Sequence, residues 1–362
     1  MTKDVSARHK MERDVIVRDV GPRDGLQLVK TVLPTEVKLA WLQADIDAGI
    51  PEVEVCSFVP AKVIAQFGDA FEVASHAGKI GEAEAHHPVG KIGEAEAHRT
   101  AAKIGEAEAH RTAGKIGEAE AHRTAGFVPS ALTPNLKGAQ IGFQTGIAKI
   151  NYVMSVSETH NQQNVRRSRE ESLQGFKDII AARDAIAPNV QIGIGLATAL
   201  GCTLEGHVPE DETLRILELV LEAGADEVML PDTVGYANPS QVRSLFAKAI
   251  PMAGDIPVWT HFHDTRGLGL ANALAALEAG ARRFDASIAG LGGCPFAPGA
   301  TGNIVLEDLV FLLEAEGMAT GIDIPKLAAC REIVEKALPD EPKYGQVLRA
   351  GLPKGFQSAV AA

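Results

Sequence analysis

Two histidines stand one residue apart, His261 and His263, at the end of the apolar run in "DIPVWTHFHDTRG". On a strand, side chains two residues apart point to the same face, so we expect both imidazoles to project inward side by side. A packed core gains little from two polar rings, because each buried nitrogen must find a partner. A metal ion binds such a pair well, and the spacing therefore predicts a metal site.

Further residues with possible chemical roles follow other apolar runs. They are Arg23 and Asp24 in "VGPRDGLQ", Glu54 and Cys56 in "EVEVCSF", Asp232 in "LPDTVG", and Cys294 and Asn303 in "GLGGCPFAPGATGN". Each has a structural alternative: Asp24 and Asn303 as helix caps, Asp232 as a turn former. Glu54 would pair with a lysine in that reading. Their common position after strands favours one shared site over unrelated caps and turns.

Asp24, His261, His263 and Asn303 together offer two imidazole nitrogens and two hard oxygens. Such a set, completed by water or substrate oxygens, suits Mg²⁺ or Mn²⁺, although composition alone leaves Zn²⁺ and Fe²⁺ open. Glu54 is then expected to support Arg23 or the substrate. Five glycines surround the cysteine in its loop, and they permit close backbone approach to a ligand. Cys294 is accordingly predicted to donate or accept a proton.

The composition excludes several classes of protein. A formal net charge of -12 argues against a general nucleic-acid binder or a binder of anionic membranes, since both need a basic surface. No run approaches the length of a membrane-spanning helix, and the first residues lack the apolar core of a secretory signal. The four cysteines lie far apart, which predicts reduced thiols and a cytoplasmic protein.

The chain repeats a twelve-residue unit from Lys79 to Gly126: "KIGEAEAHHPVG", "KIGEAEAHRTAA" and twice "KIGEAEAHRTAG". Such identity is unlike an enzyme core, and we interpret the segment as a tandem insert exposed to solvent. Its histidines, among them His98, His110 and His122, leave a metal-binding repeat as the alternative. Their spacing only reports the duplication, so the solvated insert is favoured.

Outside this segment, strand-like and helix-like stretches alternate. The expected strands are 14–20, 51–58, 128–133, 149–157, 190–200, 226–233, 256–265 and 282–290. Amphipathic stretches such as 35–49 and 210–227 lie between them, several ending in "AG" as helix C-caps do. Eight strand–helix units predict an α/β fold of the (β/α)₈ TIM-barrel type. A doubly wound open sheet is the alternative, but "GPRDGLQ" lacks its glycine pattern.

This fold assigns residues 14–335 to one catalytic barrel, with tails at 1–13 and 336–362. The insert, 79–126, falls between the second helix and the third strand. In a barrel that connection lies at the face opposite the active site, so we expect the insert to leave the metal site intact.

The motifs together resemble the 3-hydroxy-3-methylglutaryl-CoA lyase family, which belongs to a superfamily of metal-dependent TIM-barrel lyases and synthases. The resemblance is carried by "VGPRDGLQ", "CSFVPAKVIAQFGD", "LPDTVGYANP", "HFHDTRGLGLANALAALEAG" and, most specifically, the glycine loop. It implies an enzyme that cleaves a 3-hydroxyacyl-CoA to acetyl-CoA and a keto acid, acetoacetate for the usual substrate. It also implies a homo-oligomer, a dimer or larger.

The resemblance implies a role for each matching residue. Asp24, His261, His263 and Asn303 would bind one divalent cation, Mg²⁺ or Mn²⁺, with His261 counted among the catalytic residues as well. Arg23 would stabilise the enolate of the departing acetyl-CoA, Cys294 would transfer a proton, and Glu54 and Asp232 would support the site.

Two departures and two alternatives accompany the resemblance. Ile288 and Phe296 stand where the family usually has valine and tyrosine, and 157–172 keeps only the outline of its motif, so the acyl group accepted is left open. A condensing synthase on the same barrel is one alternative function. An inactive scaffold that binds a partner through the repeats is the other.

Overall fold

The computed structural model describes residues 13–85, 126–293 and 302–359. Eight parallel strands close into a barrel in which each strand pairs with the next and β1 pairs with β8. The strands are β1 Ile16–Asp19, β2 Glu52–Ser57, β3 Val128–Thr133, β4 Lys149–Ser155, β5 Gln191–Ala197, β6 Glu227–Asp232, β7 Val258–Phe262 and β8 Arg283–Ala286. All eight predicted strands and the TIM-barrel fold are confirmed.

Helices follow the strands in the described ranges and pack against them. They are α1 Thr35–Ala48, α2 Ala70–Ala85, α3 Leu136–Gly142, α4 Glu158–Val165, α5 Arg169–Ile186, α6 Glu210–Glu222, α7 Pro239–Ala253, α8 Gly269–Glu278, α9 Leu306–Ala315, α10 Ile324–Ala337 and α11 Val347–Ala350. None of the helices in these ranges combines the length and the apolar character that crossing a membrane requires.

The two amphipathic stretches singled out in the sequence are helices for local reasons. Helix α6 carries three acidic residues in its first turn, where they complement the helix dipole, and it buries Ile216, Leu217 and Val220 on one side. Helix α1 ends at Gly49, whose φ of 87° is the left-handed C-cap that glycine adopts without strain. These helices set where the following strands enter the barrel.

The inside of the barrel is charged, whereas its outer side packs against apolar faces of the helices. Five ionisable side chains from the strands lie in the lumen with no more than 4% of their surface exposed: Arg18, Glu52, Lys149, Glu227 and Asp285. Arg18 and Lys149 each contact Glu52 and Glu227 at 2.6–3.2 Å. The lumen is thus closed by paired charges beneath the carboxyl ends of the strands.

The repeat segment and the tails are described only in part. Its first seven residues, 79–85, continue α2, so the boundary predicted at residue 79 falls inside a helix of the barrel shell. The rest of the repeats, 86–125, and residues 1–12 lie outside the described residues.

Residues 338–359, predicted as part of a tail, pack on the barrel. Tyr344 donates its N–H to the carbonyl of Ala289, and the Phe356 ring lies 5.1 Å from that of Phe311. The backbone N–H groups of residues 346 and 347 donate to the Asp308 carboxylate. This segment is therefore part of the folded body.

Candidate metal centre at the barrel rim

Asp24 is presented by a tight turn that follows β1. The turn, Gly21–Gly25, is closed by N–H groups of residues 23–25 that donate to the carbonyl of Val20. There is no space for a side chain at Gly21, because a Cβ would lie 2.7 Å from Trp41 Cζ2 and 2.9 Å from Ser287 Oγ. The close packing of this turn fixes Asp24 and Arg23 at the rim.

His261 lies within β7, and His263 follows its last residue. Their Nε2 atoms are 3.1 Å apart, and both rings are buried. The Asp24 Oδ2 atom lies 4.0 Å from the Nε2 of His261 and 3.9 Å from that of His263. The two-residue spacing thus places both rings on one side, as predicted.

Asn303 reaches the same place through backbone pairing. Residue 303 forms an isolated antiparallel bridge with His263, while the N–H of Ile304 donates to the carbonyl of Phe262. The Asn303 Nδ2 atom donates to Asp24 Oδ2 over 2.9 Å. All four predicted ligand residues therefore meet at one point of the rim.

The four residues fit a divalent cation by their chemistry. Asp24, His261 and His263 each offer one ligand atom within 4.8 Å of the others. The Oδ1 of Asn303 and the Nδ1 of His263 are buried without a hydrogen-bond partner in the described chain. A buried carbonyl oxygen left without a partner is costly, and a hard cation would satisfy it.

The electrostatics keep the ligands in the form a cation needs. Burial alone would raise the pKa of Asp24, but the Arg23 guanidinium and the two imidazoles lower it to about 2. Burial, together with the neighbouring His261 ring, lowers the pKa of His263 to about 4. At neutral pH the site therefore presents a carboxylate and a neutral His263 imidazole.

Arg23 connects Asp24 to Glu54, one of the two residues predicted to support the site. Its Nε donates to Glu54 Oε2 at 2.5 Å, and its Nη1 donates to Asp24 Oδ1 at 2.6 Å. Glu54 also accepts from Asn151 Nδ2 at 2.9 Å. Asn151 was not predicted as a site residue, because it stands inside the strand "KINYVMS" with no neighbouring motif.

Asp232 lies at the same rim, as the last residue of β6. Its two carboxylate oxygens accept the backbone N–H groups of Tyr236 and Ala237. Asp232 therefore organises its own turn. Burial raises the pKa of Asp232 to about 6.

Cys56 and Cys294 are the two cysteines that the sequence placed near the site. Cys294 lies outside the described residues, and its role stays a prediction. Cys56 is buried, burial raises the pKa of its thiol, and its Sγ contacts the Ala70 carbonyl at 3.6 Å. Cys56 is therefore a core residue.

Residues 14–334 match the HMGL-like family model. The chain is 32% identical over 326 residues to the hydroxymethylglutaryl-CoA lyase YngG of Bacillus subtilis, covering 90% of this chain and 94% of that protein. It is also 32% identical to (R)-citramalyl-CoA lyase of Chloroflexus aurantiacus, covering 90% of this chain and 91% of that one.

Solved structures agree with these relatives. The chain resembles an HMG-CoA lyase of Acinetobacter baumannii, solved in complex with coenzyme A and 3-methylmalate, at a TM-score of 0.76 and 33% sequence identity. The match covers 95% of this chain and 97% of that one.

Proposed function

The chain belongs to the HMGL-like family, and from this premise we propose that it is a carbon–carbon lyase acting on 3-hydroxy-3-methylglutaryl-CoA or a close 3-hydroxyacyl-CoA. The products would be acetyl-CoA and a keto acid, acetoacetate for the first substrate. The observation that carries the proposal is the convergence of Asp24, His261 and His263 on one point of the rim, with the unpartnered Asn303 oxygen beside them.

The bond to be cleaved joins the carbon that bears the hydroxyl group to the carbon next to the thioester. Cleavage passes the hydroxyl proton to a base, turns the hydroxyl-bearing carbon into the ketone of the keto acid, and leaves the electron pair of the broken bond on the thioester as an enolate. A divalent cation held by Asp24, His261, His263 and Asn303 would supply Lewis-acid activation of the substrate oxygens. The chain's own residues must then meet the charge on the enolate and deliver a proton to it.

Arg23 is the residue placed to meet that charge. Its guanidinium is held on two sides by Glu54 and Asp24, so its direction is fixed before the substrate arrives. Fixed positive charge directed at a developing oxyanion stabilises the transition state more than the ground state. Cys294 is proposed to protonate the enolate carbon, a role that comes from the resemblance in its loop.

We propose Mg²⁺ or Mn²⁺ as the cation, because two imidazoles with two oxygen ligands suit either ion. An acyl-CoA substrate is supported by the relatives. A homo-oligomeric assembly stays a prediction of the resemblance, and a cytoplasmic location stays a prediction from the spacing of the cysteines.

The test is cleavage of purified substrates by the metal-stripped and the reloaded protein. We expect acetyl-CoA release from 3-hydroxy-3-methylglutaryl-CoA only after Mg²⁺ or Mn²⁺ is restored. His263→Ala should abolish this activity, whereas His207→Ala, at an exposed position, should retain it. Faster cleavage of (R)-citramalyl-CoA would reassign the substrate. Cleavage that does not depend on a cation, or the absence of cleavage with both acyl-CoA substrates, would contradict the proposal.

A further inference from the structure

The charged side chains in the lumen form one connected cluster, which we call the lumen network: Arg18, Glu52, Lys149, Glu227 and Asp285. Glu227 also accepts the indole N–H of Trp259 at 2.8 Å, and the guanidinium carbon of Arg18 lies 4.0 Å from the centre of that ring. Every member of the network has an oppositely charged partner within 3.2 Å. This degree of pairing makes a rigid support.

Asp285 is the member of the network that touches the metal centre. Arg18 grips it with two parallel hydrogen bonds, from Nε to Oδ1 at 2.7 Å and from Nη2 to Oδ2 at 3.1 Å. The Oδ2 atom also lies 3.2 Å from His261 Nδ1. A two-point contact of this kind fixes the plane of the carboxylate as well as its position.

The contact determines where His261 carries its proton. A carboxylate held by a guanidinium only accepts hydrogen bonds, so the Nδ1 atom of His261 must be the donor. A neutral ring protonated at Nδ1 has its lone pair on Nε2, the atom that faces Asp24 and His263. Metal-binding histidines commonly take their orientation from such a partner.

The neighbouring ring has no equivalent support. The Nδ1 of His263 is buried without a hydrogen-bond partner in the ranges the structure describes. The two histidines of the motif therefore differ: one is oriented by the lumen network, and the other depends on packing and on the ligand itself.

We propose that Asp285 is a positioning residue of the metal centre, which is itself held by Arg18 and keeps His261 with its Nε2 lone pair directed at the cation. This inference rests on the proposed cation site. It adds a residue to the working site that lies below the rim and has no contact with the substrate in the proposed reaction.

The test compares Mn²⁺ binding to the metal-stripped full-length protein, measured by the electron paramagnetic resonance of free Mn²⁺. Asp285→Asn should raise the Kd for Mn²⁺ by about 10- to 100-fold. The matched control is Glu227→Gln, which removes one charge from the same network without touching His261 and should leave the Kd unchanged. Equal Kd values for Asp285→Asn and the wild type would overturn the proposal. Equal weakening by both variants would also overturn it, because the network would then act only on general stability.

A second measurement needs no variant of Asp285 to fold. In protein labelled with ¹⁵N-histidine, two-bond ¹⁵N–¹H couplings distinguish the two neutral forms of the ring, and His261→Asn identifies the signals of His261. We expect the proton of His261 on Nδ1 in the metal-stripped wild type, and a proton on Nε2 would overturn the proposal. A wild type that shows this proton but fails to bind Mn²⁺ would contradict the proposed function and leave the Asp285 contact supported.

Discussion

At the scale of single residues, Asp232 shows how a group can stand at the rim and act mainly on its own loop. Its carboxylate accepts two backbone N–H groups of the turn that follows β6, while burial holds its pKa at about 6 instead of 3.8. The structure therefore favours the turn-forming alternative from the sequence, and its support of catalysis remains a prediction.

The raised pKa of Asp232 predicts a pH dependence of stability. Because the folded state holds the proton more tightly than the unfolded chain, this group stabilises the fold fully below pH 3.8 and loses that contribution as pH rises through about 6. Between pH 5 and pH 7 the loss is about 1 kcal/mol. Asp232→Asn lacks this titration, so its free energy of unfolding should fall less over that interval.

Urea unfolding of the metal-stripped protein at both pH values measures the effect. Asp47→Asn, at an exposed position, serves as the control and should keep the pH dependence of the wild type. An identical pH dependence of Asp232→Asn and the wild type would rule out the expected role of this proton.

At the scale of elements, the candidate metal centre depends on how the segment after β8 returns to the rim. Gly292 adopts a φ of 132°, and a Cβ at this position would lie 2.8 Å from the side-chain nitrogen, Nδ2, of Asn303. The glycine thus leaves room for the ligand as well as for the turn. Residues 302–304 then pair with the end of β7, which sets Asn303 beside His263.

Gly292→Ala should consequently displace Asn303 and weaken Mn²⁺ binding on the order of tenfold. Gly317→Ala is the matched control, since Gly317 also has a positive φ, 78°, but nothing lies within 4 Å of its Cβ position. Both variants should lose stability through backbone strain, and only the first should lose affinity. The same Mn²⁺ titration decides this, and equal affinities in the two variants would contradict it.

At the scale of the whole molecule, the candidate metal centre and the connection that contains the repeats join opposite ends of the barrel. The candidate metal centre lies at the carboxyl ends of the strands, whereas the connection from α2 to β3 enters at their amino ends. β3 has six residues, which puts roughly 20 Å between the two ends. The proposed chemistry is therefore remote from the two points at which the repeat segment joins the barrel, the end of α2 and the start of β3.

Deletion of residues 87–122 tests this separation, because it joins His86 to Arg123 and leaves a single unit, "KIGEAEAHRTAG". We expect unchanged Mn²⁺ affinity and unchanged acetyl-CoA release. The outcome against the prediction is a deletion protein with a wild-type melting temperature that no longer binds Mn²⁺. Such a result would place the repeats at the active site.

The sequence predicted the barrel and indicated the candidate cation ligands because both follow from local patterns. Alternating strand and helix patterns predict the eight units, and the paired histidines need only the two-residue period of a strand. The lumen network was missed because its members look like ordinary charged residues of strands, such as Glu52 and Lys149 at the starts of "EVEVCS" and "KINYVMS". A signal was present: charges at inward positions of several buried strands need partners across the barrel.

The packing of residues 338–359 was missed for another reason. Several contacts of this segment are backbone N–H groups donated to the Ala289 carbonyl and the Asp308 carboxylate, and such contacts leave no periodic pattern in the sequence. Its short helix, Val347–Ala350, is too small to produce an amphipathic repeat.

The paired charges inside the barrel also constrain how this chain can evolve. Loss of one partner leaves the opposite charge unpaired in a dry interior, which lowers the free energy of unfolding by about 3–5 kcal/mol. Replacement of the whole set with apolar residues is close to neutral for stability. Intermediates on that route are disfavoured one substitution at a time. Positions 18, 52, 149, 227 and 285 should therefore be inherited as a block among descendants of this chain, and drift at any one of them should be accompanied by compensating changes at the others.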